Sequence, residues 1–459
     1  MLRALTLLFA FMLYTATTVF ARRRPSSSTS STSSTSSTSS SSDDDDDDYE
    51  EDIPADTKKR SPTDYLKDPT AFVARAAKRQ ALAATTRLDV DAILDHHHEY
   101  YEDVAARAFN GEVLSYVTPW NKKGYRNALL FLAKIDFLVP VWFQLRQHAA
   151  NRTLYVAGEH DVQREWLTAV REGSSVSCSG GSDGSGGGDD NGNKGSGGST
   201  CPAAKRVKVL PRLAVEVEPK ELGDPSVLVA DLLLPLQRAH SFDGFTLEMP
   251  LTAYTVVVHL VREMRRRGMF VVLVVPPYEV SSPESREAHV FAQLGAAVDR
   301  LSVMTYDSPR RGNEGFPNAP LPWVREVVAG LAAVDGLHGK LLLGLPCYGW
   351  RGGEAMVADN MVLWLASGGV DVRWDGAHAE HRFSDARGRV ASYPTYAFYA
   401  RRLKAAEQLD GVAGVALWEL VRCEHCVLVV IFDCAADAPP RLHPPGPNHA
   451  VPDGCFVKR

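Results

Sequence analysis

Eight short runs of apolar and β-branched residues recur along residues 111–422, and they constrain the fold more than any other feature of the sequence. Each run is almost continuously hydrophobic, as expected of parallel strands that are buried on both faces. The runs are Val113–Thr118, Ile135–Phe143, Arg206–Val215, Phe242–Met249, Phe270–Val275, Leu301–Tyr306, Lys340–Leu345 and Val412–Trp418.

Amphipathic stretches with helix signals separate these runs. Asp224-Pro225 predicts a helix start with proline in the first turn, and Gly268, after three arginines, predicts a helix end. Eight strand–helix alternations predict an α/β fold, a (β/α)8 TIM barrel with right-handed crossovers. The alternative, a doubly wound sheet, calls for a glycine-rich phosphate loop after the first strand, and Thr118–Gly124 is not one.

The segments around the barrel have other compositions. Residues 1–21 place an apolar run after Arg3 and end in Val-Phe-Ala, which predicts a cleaved signal peptide, with an uncleaved signal anchor as the alternative. Residues 22–60 form a Ser/Thr-rich and then acidic stretch, predicted to be a disordered linker. Residues 61–110 are predicted to be helical in pieces, and residues 173–200 to form a flexible Gly/Ser-rich insertion. Residues 423–459 form a C-terminal tail without an assigned function.

Charge and composition limit the partners. Nine acidic residues between positions 43 and 52 account for more than the whole net charge of −6, so the rest of the chain shows no sign of a nucleic-acid surface. Beyond the signal segment no run reaches about 18 apolar residues, so no membrane span is expected after cleavage. Seven cysteines and one glycosylation sequon, at Asn151, are compatible with the secretory pathway, with an extracellular or lysosomal destination.

Two patterns invite a metal interpretation. Cys423-Glu-His-Cys426 lacks a second pair of ligands to complete four, and His96–His98 is more typical of a solvated helix face. We therefore predict neither a metal site nor a cofactor.

The fourth strand carries the most informative motif. Thr246, Glu248 and Pro250 share one face, because strand side chains alternate with period two. The segment beginning Asp243-Gly244 resembles the D-G-x-D-x-D-x-E signature of family 18 glycoside hydrolases, the chitinases. In that alignment the first Asp is kept, Thr246 and Glu248 take the places of the next two, and Pro250 takes the place of the catalytic Glu.

Further motifs support the resemblance between residues 92 and 420 by their order along the chain. They are Val113–Asn121, Phe137–Leu145, Val303–Asp307, Pro317–Trp323, Leu343–Gly349 and Gly414–Leu420. The set is similar to a chitinase-like branch of the family with Glu, not Asp, at position 248 and no acid after it. The resemblance implies binding of chitin-type or other N-acetylglucosamine-containing oligosaccharides. It also places the family's α+β insertion at residues 351–392. Because this insertion is short, we predict a shallow groove.

The resemblance also implies a mechanism that this strand is ill equipped to perform. In family 18 the N-acetyl oxygen of the sugar attacks while a protonated Glu donates to the leaving oxygen. Glu248 lies two residues too deep, about 6.6 Å along the strand, and its extra methylene recovers only about 1.5 Å. Pro250 cannot titrate. We therefore predict loss of the catalytic acid, with Glu419 and, less favourably, Glu248 as the remaining candidates.

Sugar-binding residues are predicted at the carboxyl ends of the strands, where TIM barrels place their sites. Trp418 matches the Trp on which the family stacks a sugar, and Tyr306 and Asp307 match its M-x-Y-D motif. Tyr116, Tyr348 and Glu248 complete the predicted set, Glu248 as a buried carboxylic acid bonded to Tyr306 or Thr246. Aromatics also fill barrel cores, and a core role is preferred for Trp142.

Three hypotheses follow. The preferred one is a secreted carbohydrate-binding protein without turnover. The second is a family 18 hydrolase with an unconventional acid. The third is a scaffold whose outer helices bind a protein partner.

Overall fold

The structure, a computed structural model, describes residues 88, 90–96, 104–105, 107, 109–173, 206–280, 282 and 284–420. The predictions for the signal peptide, the acidic linker, the Gly/Ser-rich insertion beyond residue 173 and the C-terminal tail therefore lie outside the described residues, as do all cysteines except Cys347.

Eight parallel barrel strands pair in sequence order, and the last pairs with the first through Glu112 opposite Gly414, which closes the barrel. The second and third barrel strands are each broken into two segments, and the segments pair with one another: Phe137–Pro140 with Lys208–Val209, and Phe143–Gln147 with Arg212–Val215. The predicted TIM barrel is confirmed, and each predicted run overlaps a barrel strand. The strands described are, in chain order, β1 Glu112–Val117, β2 Phe137–Pro140, β3 Phe143–Gln147, β4 Leu154–Ala157, β5 Lys208–Val209, β6 Arg212–Val215, β7 Gly244–Glu248, β8 Phe270–Val275, β9 Arg300–Val303, β10 Leu341–Pro346, β11 Gly349–Arg351, β12 Glu354–Met356, β13 Val370–Asp375, β14 Glu380–Asp385, β15 Val390–Ser392 and β16 Val412–Trp418.

Helices lie between the barrel strands and also within a later insertion. Asp224 accepts a hydrogen bond from the Ser226 backbone N–H at 2.8 Å, which confirms the predicted helix start. The predicted end is confirmed at Gly268, whose left-handed φ of +81° follows the last turn. The helices described are α1 Val90–His96, α2 Lys122–Leu130, α3 Arg164–Gly173, α4 Pro225–Leu228 and α5 Leu234–His240 joined by the π-helical turn Val229–Leu233, α6 Tyr254–Arg266, α7 Arg286–Ala297, α8 Leu321–Ala332, α9 Ala358–Ala366 and α10 Tyr396–Gln408.

Alternating side chains of the barrel strands build two apolar layers. Phe245, Leu247 and Met249 of the fourth barrel strand point outward into the layer beneath the helices. Burying a side chain of this size stabilises the fold by roughly 1.5–3 kcal/mol, and a one-residue slip would exchange it with a polar neighbour. The predicted alternation is therefore confirmed, with Thr246 and Glu248 turned inward. The barrel interior is filled by Leu114, Tyr116, Phe137, Val139, Val141, Leu210, Val272, Val274, Leu342 and Ala416.

A second sheet follows strand β10. Strands β11 to β15 form an antiparallel sheet in the order β12-β11-β15-β14-β13, and helix α9 packs on it around Met361, Trp364 and Phe383. This insertion occupies the place that the resemblance implies but begins at Gly349, and it is a complete α+β subdomain with its own core. The size of this subdomain was underestimated from the sequence, because three of its strands are only three residues long.

A buried ion pair attaches this subdomain to the barrel. Glu380 of β14 accepts hydrogen bonds from the backbone N–H groups of Asn318 and Ala319, at 3.0 and 2.7 Å. Arg402 of α10 lies 3.3 Å from the Glu380 carboxylate, and both side chains are almost completely buried. Three elements that are distant in sequence are thereby held together.

Aspartates stabilise the amino-terminal rim of the barrel. Asp136, Asp243 and Asp299 stand directly before strands β2, β7 and β9, and each accepts a backbone N–H from the neighbouring strand, at 2.7, 2.8 and 2.8 Å. Each also forms an ion pair with arginine: Arg107 with Asp136, Arg171 and Arg206 with Asp243, and Arg265 with Asp299. Asp243, the motif residue that the alignment keeps, therefore acts at the end opposite the predicted site.

Helices long and apolar enough to cross a bilayer are absent from the part of the chain that the structure describes.

Candidate functional site

The barrel mouth, at the carboxyl ends of the strands, brings the predicted residues together. The rings of Tyr116 and Trp418 meet edge to face with centroids 5.0 Å apart, and those of Tyr306 and Tyr348 meet the same way at 6.3 Å. Trp418 is half-buried and packs on the apolar filling of the barrel interior. It therefore lies at the floor of the mouth with part of its surface accessible.

Glu248 forms an ion pair with an arginine that sequence reasoning did not identify. Arg212 Nε donates to Glu248 Oε2 at 2.6 Å. The two residues lie on adjacent strands. Ala214 is the register partner of Glu248, and Arg212, two positions before Ala214, also faces inward. The expectation that Glu248 bonds to Tyr306 or Thr246 is therefore wrong, because the guanidinium on the neighbouring strand takes the carboxylate.

The other two motif positions carry no ionisable group. Thr246 is fully buried, and its hydroxyl donates to the carbonyl of Leu210, where the third barrel strand is broken. Pro250 begins the 3-10 turn Leu251–Ala253 directly after the strand. Glu248 is thus the one carboxylate that this strand brings to the mouth.

Asp307 is held by protein donors on several sides. Its carboxylate accepts from the Tyr348 hydroxyl and, at 2.6 Å, from the Trp350 indole N–H, and it pairs with Arg311 at 3.0 Å. Burial raises the pKa of Asp307, while these three donors oppose the rise. The Arg311 guanidinium also lies over the Trp350 ring, 4.3 Å from its centroid. Asp307 therefore fixes Trp350 of the α+β subdomain at the mouth, a contact that the sequence did not reveal.

Two buried tyrosines face the same region. Burial raises the pKa of Tyr116, the Glu248 charge raises it further, and Arg212 lowers it, which places the three groups together. The Tyr116 hydroxyl also hydrogen-bonds to Ser302 Oγ at 3.3 Å. Burial likewise raises the pKa of Tyr306, whose hydroxyl has no hydrogen-bond partner among the described residues.

Glu419 follows Trp418 in the chain, and its pKa departs from the ordinary value of a glutamate. Burial raises its pKa to about 7, against the smaller lowering effect of Thr118 and Trp120. Within the described chain, Glu419 Oε2 and Thr118 Oγ1 make no hydrogen bond of normal geometry, although both are buried. Glu419 is therefore a carboxyl group that is partly protonated at neutral pH.

Two further tryptophans differ in exposure. Trp142 is fully buried and donates from its indole nitrogen to the Tyr125 hydroxyl at 2.6 Å, so the core role preferred for it is confirmed. Trp120, in the loop after β1, is 55% exposed, the opposite of a core residue. Trp120 belongs to the motif Val113–Asn121 but was not among the predicted site residues. Its position after a barrel strand was the signal that could have identified it.

Among the described residues, no three His, Cys, Asp or Glu side chains lie close enough to hold a metal ion. Cys423 and Cys426 and the side chains of His96–His98 lie outside the described part of the chain.

Comparison with solved structures finds chitinases and a spore cortex-lytic enzyme with a similar fold. The spore cortex-lytic enzyme SleL of Bacillus megaterium aligns with a TM-score of 0.51 and 15% identity, over 70% of this chain and 73% of its own. A chitinase from Chromobacterium violaceum aligns with a TM-score of 0.50 and 15% identity, over 71% and 99%. The class V chitinase from Nicotiana tobaccum aligns with a TM-score of 0.50 and 13% identity, over 71% and 98%.

No protein-family model matches the chain. At these identities the structural likeness shows the fold, and it confirms the chitinase-like barrel that the resemblance to family 18 implies.

Proposed function

We propose that this barrel binds N-acetylglucosamine-containing oligosaccharides at its mouth and does not cleave them at the rate of a chitinase. The observation that carries the proposal is the half-buried Trp418 ring, supported edge-on by Tyr116, on the floor of a chitinase-like barrel. Aromatic faces pack well against the apolar faces of pyranose rings. The Tyr306 hydroxyl, which has no hydrogen-bond partner among the described residues, adds a hydrogen-bonding group near this platform.

The absence of rapid turnover follows from the fourth barrel strand. Pro250 has no proton to donate, and Thr246 hydrogen-bonds to the protein backbone. The Glu248 carboxylate already accepts a hydrogen bond from Arg212 Nε at 2.6 Å, so the protein itself engages the group that would have to reach the leaving oxygen. A binding site without the family's proton donor is the simplest account of this strand.

The test is oligosaccharide binding measured by calorimetry with tri-N-acetylchitotriose. Trp418→Ala is expected to reduce binding at least about tenfold, because stacked aromatic contacts dominate such sites. Val227→Ala, which shortens an exposed apolar side chain on α4, is the control and should bind normally. Unchanged binding in Trp418→Ala would remove Trp418 from the site, and the absence of binding by the wild-type protein would refute the proposal.

A second candidate function, slow hydrolysis of the same glycans, is favoured by one observation. The raised pKa of Glu419, about 7, keeps part of this carboxyl protonated at neutral pH, as a general acid requires. Release of fluorophore from a chitobioside by the wild-type protein, lost in Glu419→Gln and retained in Glu248→Gln, would establish hydrolysis. No release by the wild-type protein would exclude it.

We further propose that the protein enters the secretory pathway. The apolar segment at residues 1–21 supports this location, and so does the sequon at Asn151, which lies exposed in the turn between β3 and β4.

A further inference from the structure

The guanidinium of Arg212 is only partly used by the protein. Its Nε donates to Glu248, but within the described chain neither of its terminal nitrogens makes a hydrogen bond, and neither is sealed from solvent. The side chain as a whole is 13% exposed. A mostly buried guanidinium thus keeps two terminal nitrogens that no described group of the protein binds.

Turning an arginine toward a barrel interior carries a desolvation cost. Burial lowers the pKa of Arg212, but the charge and hydrogen bond of Glu248 outweigh this effect and raise it overall, so the group stays charged. A guanidinium is a planar fork of N–H donors, and the two free nitrogens at its end can donate paired hydrogen bonds to one carboxylate. Their preferred acceptor is therefore an anionic oxygen.

The surrounding charges permit an anion to approach. Asp307 is paired with Arg311 and bonded to two further donors, so its charge is locally compensated. Thr246 and Pro250 contribute no charge, and Glu248 is neutralised by Arg212 itself. The floor of the mouth is apolar, being formed by Trp418 and Tyr116. Glu216, whose charge also acts on Arg212, pairs with Arg146 at 2.8 Å. An acidic group next to a sugar ring would thus meet one available guanidinium, with the partly protonated Glu419 as the remaining carboxyl group beside Trp418.

We propose that Arg212 makes the mouth selective for acidic N-acetylated glycans, whose carboxylate binds the free end of its guanidinium while the sugar ring stacks on Trp418. This inference rests on the proposed glycan-binding function and narrows it to one chemical class. Glu248 then acts as a positioning residue, because its bond to Nε fixes the plane of the fork.

The test compares two ligands that differ in one charge: N-acetylglucosaminyl-N-acetylmuramic acid and its methyl ester, with neutral di-N-acetylchitobiose as reference. Calorimetry with the full-length wild-type protein at pH 7 should show the free acid binding at least about tenfold more tightly than the ester, the size of a charge-assisted hydrogen-bond pair. Arg212→Lys keeps the charge but not the fork and should lose most of this preference. The double variant Arg212→Met, Glu248→Gln removes both charges and should bind the acid and the ester equally.

The outcomes separate the two proposals. Equal binding of acid and ester by the wild-type protein, with chitobiose also bound, overturns the selectivity and leaves the glycan-binding function standing. Preference for the acid in a folded double variant also overturns the role of Arg212, because the carboxylate then binds elsewhere. Absence of binding for all three ligands refutes both proposals. The wild-type comparison of acid with ester decides the selectivity even if a variant fails to fold.

Discussion

The Tyr116 ring meets the Trp418 ring edge-on, at a centroid distance of 5.0 Å and an interplanar angle of 67°. Tyr116 lies on the first barrel strand and Trp418 ends the eighth, so the contact spans the seam at which the barrel closes. The orientation of the predicted sugar platform therefore depends on a neighbour just over 300 positions earlier in the chain.

Removing the Tyr116 ring should weaken glycan binding, although the Trp418 ring is still present. Tyr116→Leu eliminates an edge-to-face contact worth about 0.5–1.5 kcal/mol, so tri-N-acetylchitotriose should bind about 3- to 10-fold more weakly. Tyr116→Phe keeps the ring, loses only the bond to Ser302, and should bind like the wild-type protein. Equal affinities for the leucine and phenylalanine variants in calorimetry would show that the contact does not orient Trp418.

Glu419 should make stability fall as pH rises. Its pKa is raised from 4.5 to about 7 in the folded protein, so between these values the folded state holds more protons than the unfolded state. The unfolding free energy should therefore decrease across this window, by roughly 3 kcal/mol, and Glu419→Gln should remove that decrease. Urea unfolding at pH 4.5 and pH 8 measures it.

Glu354→Gln, at an exposed position, is the matched control for Glu419→Gln. It should leave the dependence of the unfolding free energy on pH parallel to that of the wild-type protein. A Glu419→Gln profile that also runs parallel to the wild type would show that this carboxyl titrates normally in the folded state.

The pair of Glu380 and Arg402 should be costly to break on one side. Arg402→Met leaves a buried carboxyl without its partner and should lower the unfolding free energy by about 3–5 kcal/mol. Adding Glu380→Gln removes the orphaned charge, so the double variant should recover part of the loss. Urea midpoints compare the three proteins. A double variant less stable than the single one would contradict this account.

Asn151 should carry a glycan when the protein passes through a secretory pathway. Its side-chain oxygen accepts from the Thr153 backbone and, at 2.8 Å, from the Thr153 hydroxyl, in an exposed turn that an enzyme can reach. Expression in a secreting eukaryotic host should give a band that shifts on treatment with peptide-N-glycosidase. Asn151→Gln should abolish the shift, whereas Thr153→Ser keeps the sequon and should retain it. A wild-type band that does not shift would count against the secretory proposal.

The barrel was predictable because its strands carry a local signal. Runs such as Phe270–Val275 are apolar throughout, and a strand buried on both faces leaves that pattern in any topology. The α+β subdomain was less visible, since strands such as Gly349–Arg351 are too short to show alternation. Their pairing depends on neighbours about forty positions away.

The chemistry of the site was predictable only in part for a related reason. Positions such as Trp418 and Tyr306 follow from where a strand ends, which the sequence indicates. The bond between Arg212 and Glu248 depends on the stagger between two adjacent strands and on which way each side chain points. Nothing in the segment around Arg212 marks it as turned inward, so its pairing became apparent only from the three-dimensional arrangement.

Asp243 and its counterparts on the amino-terminal rim separate what holds the barrel together from what it recognises. These aspartates secure strand ends at the pole remote from Trp418, so side chains at the mouth can change while the ion pairs of the scaffold stay intact. A barrel built this way can acquire a new ligand preference by changing side chains at one pole alone.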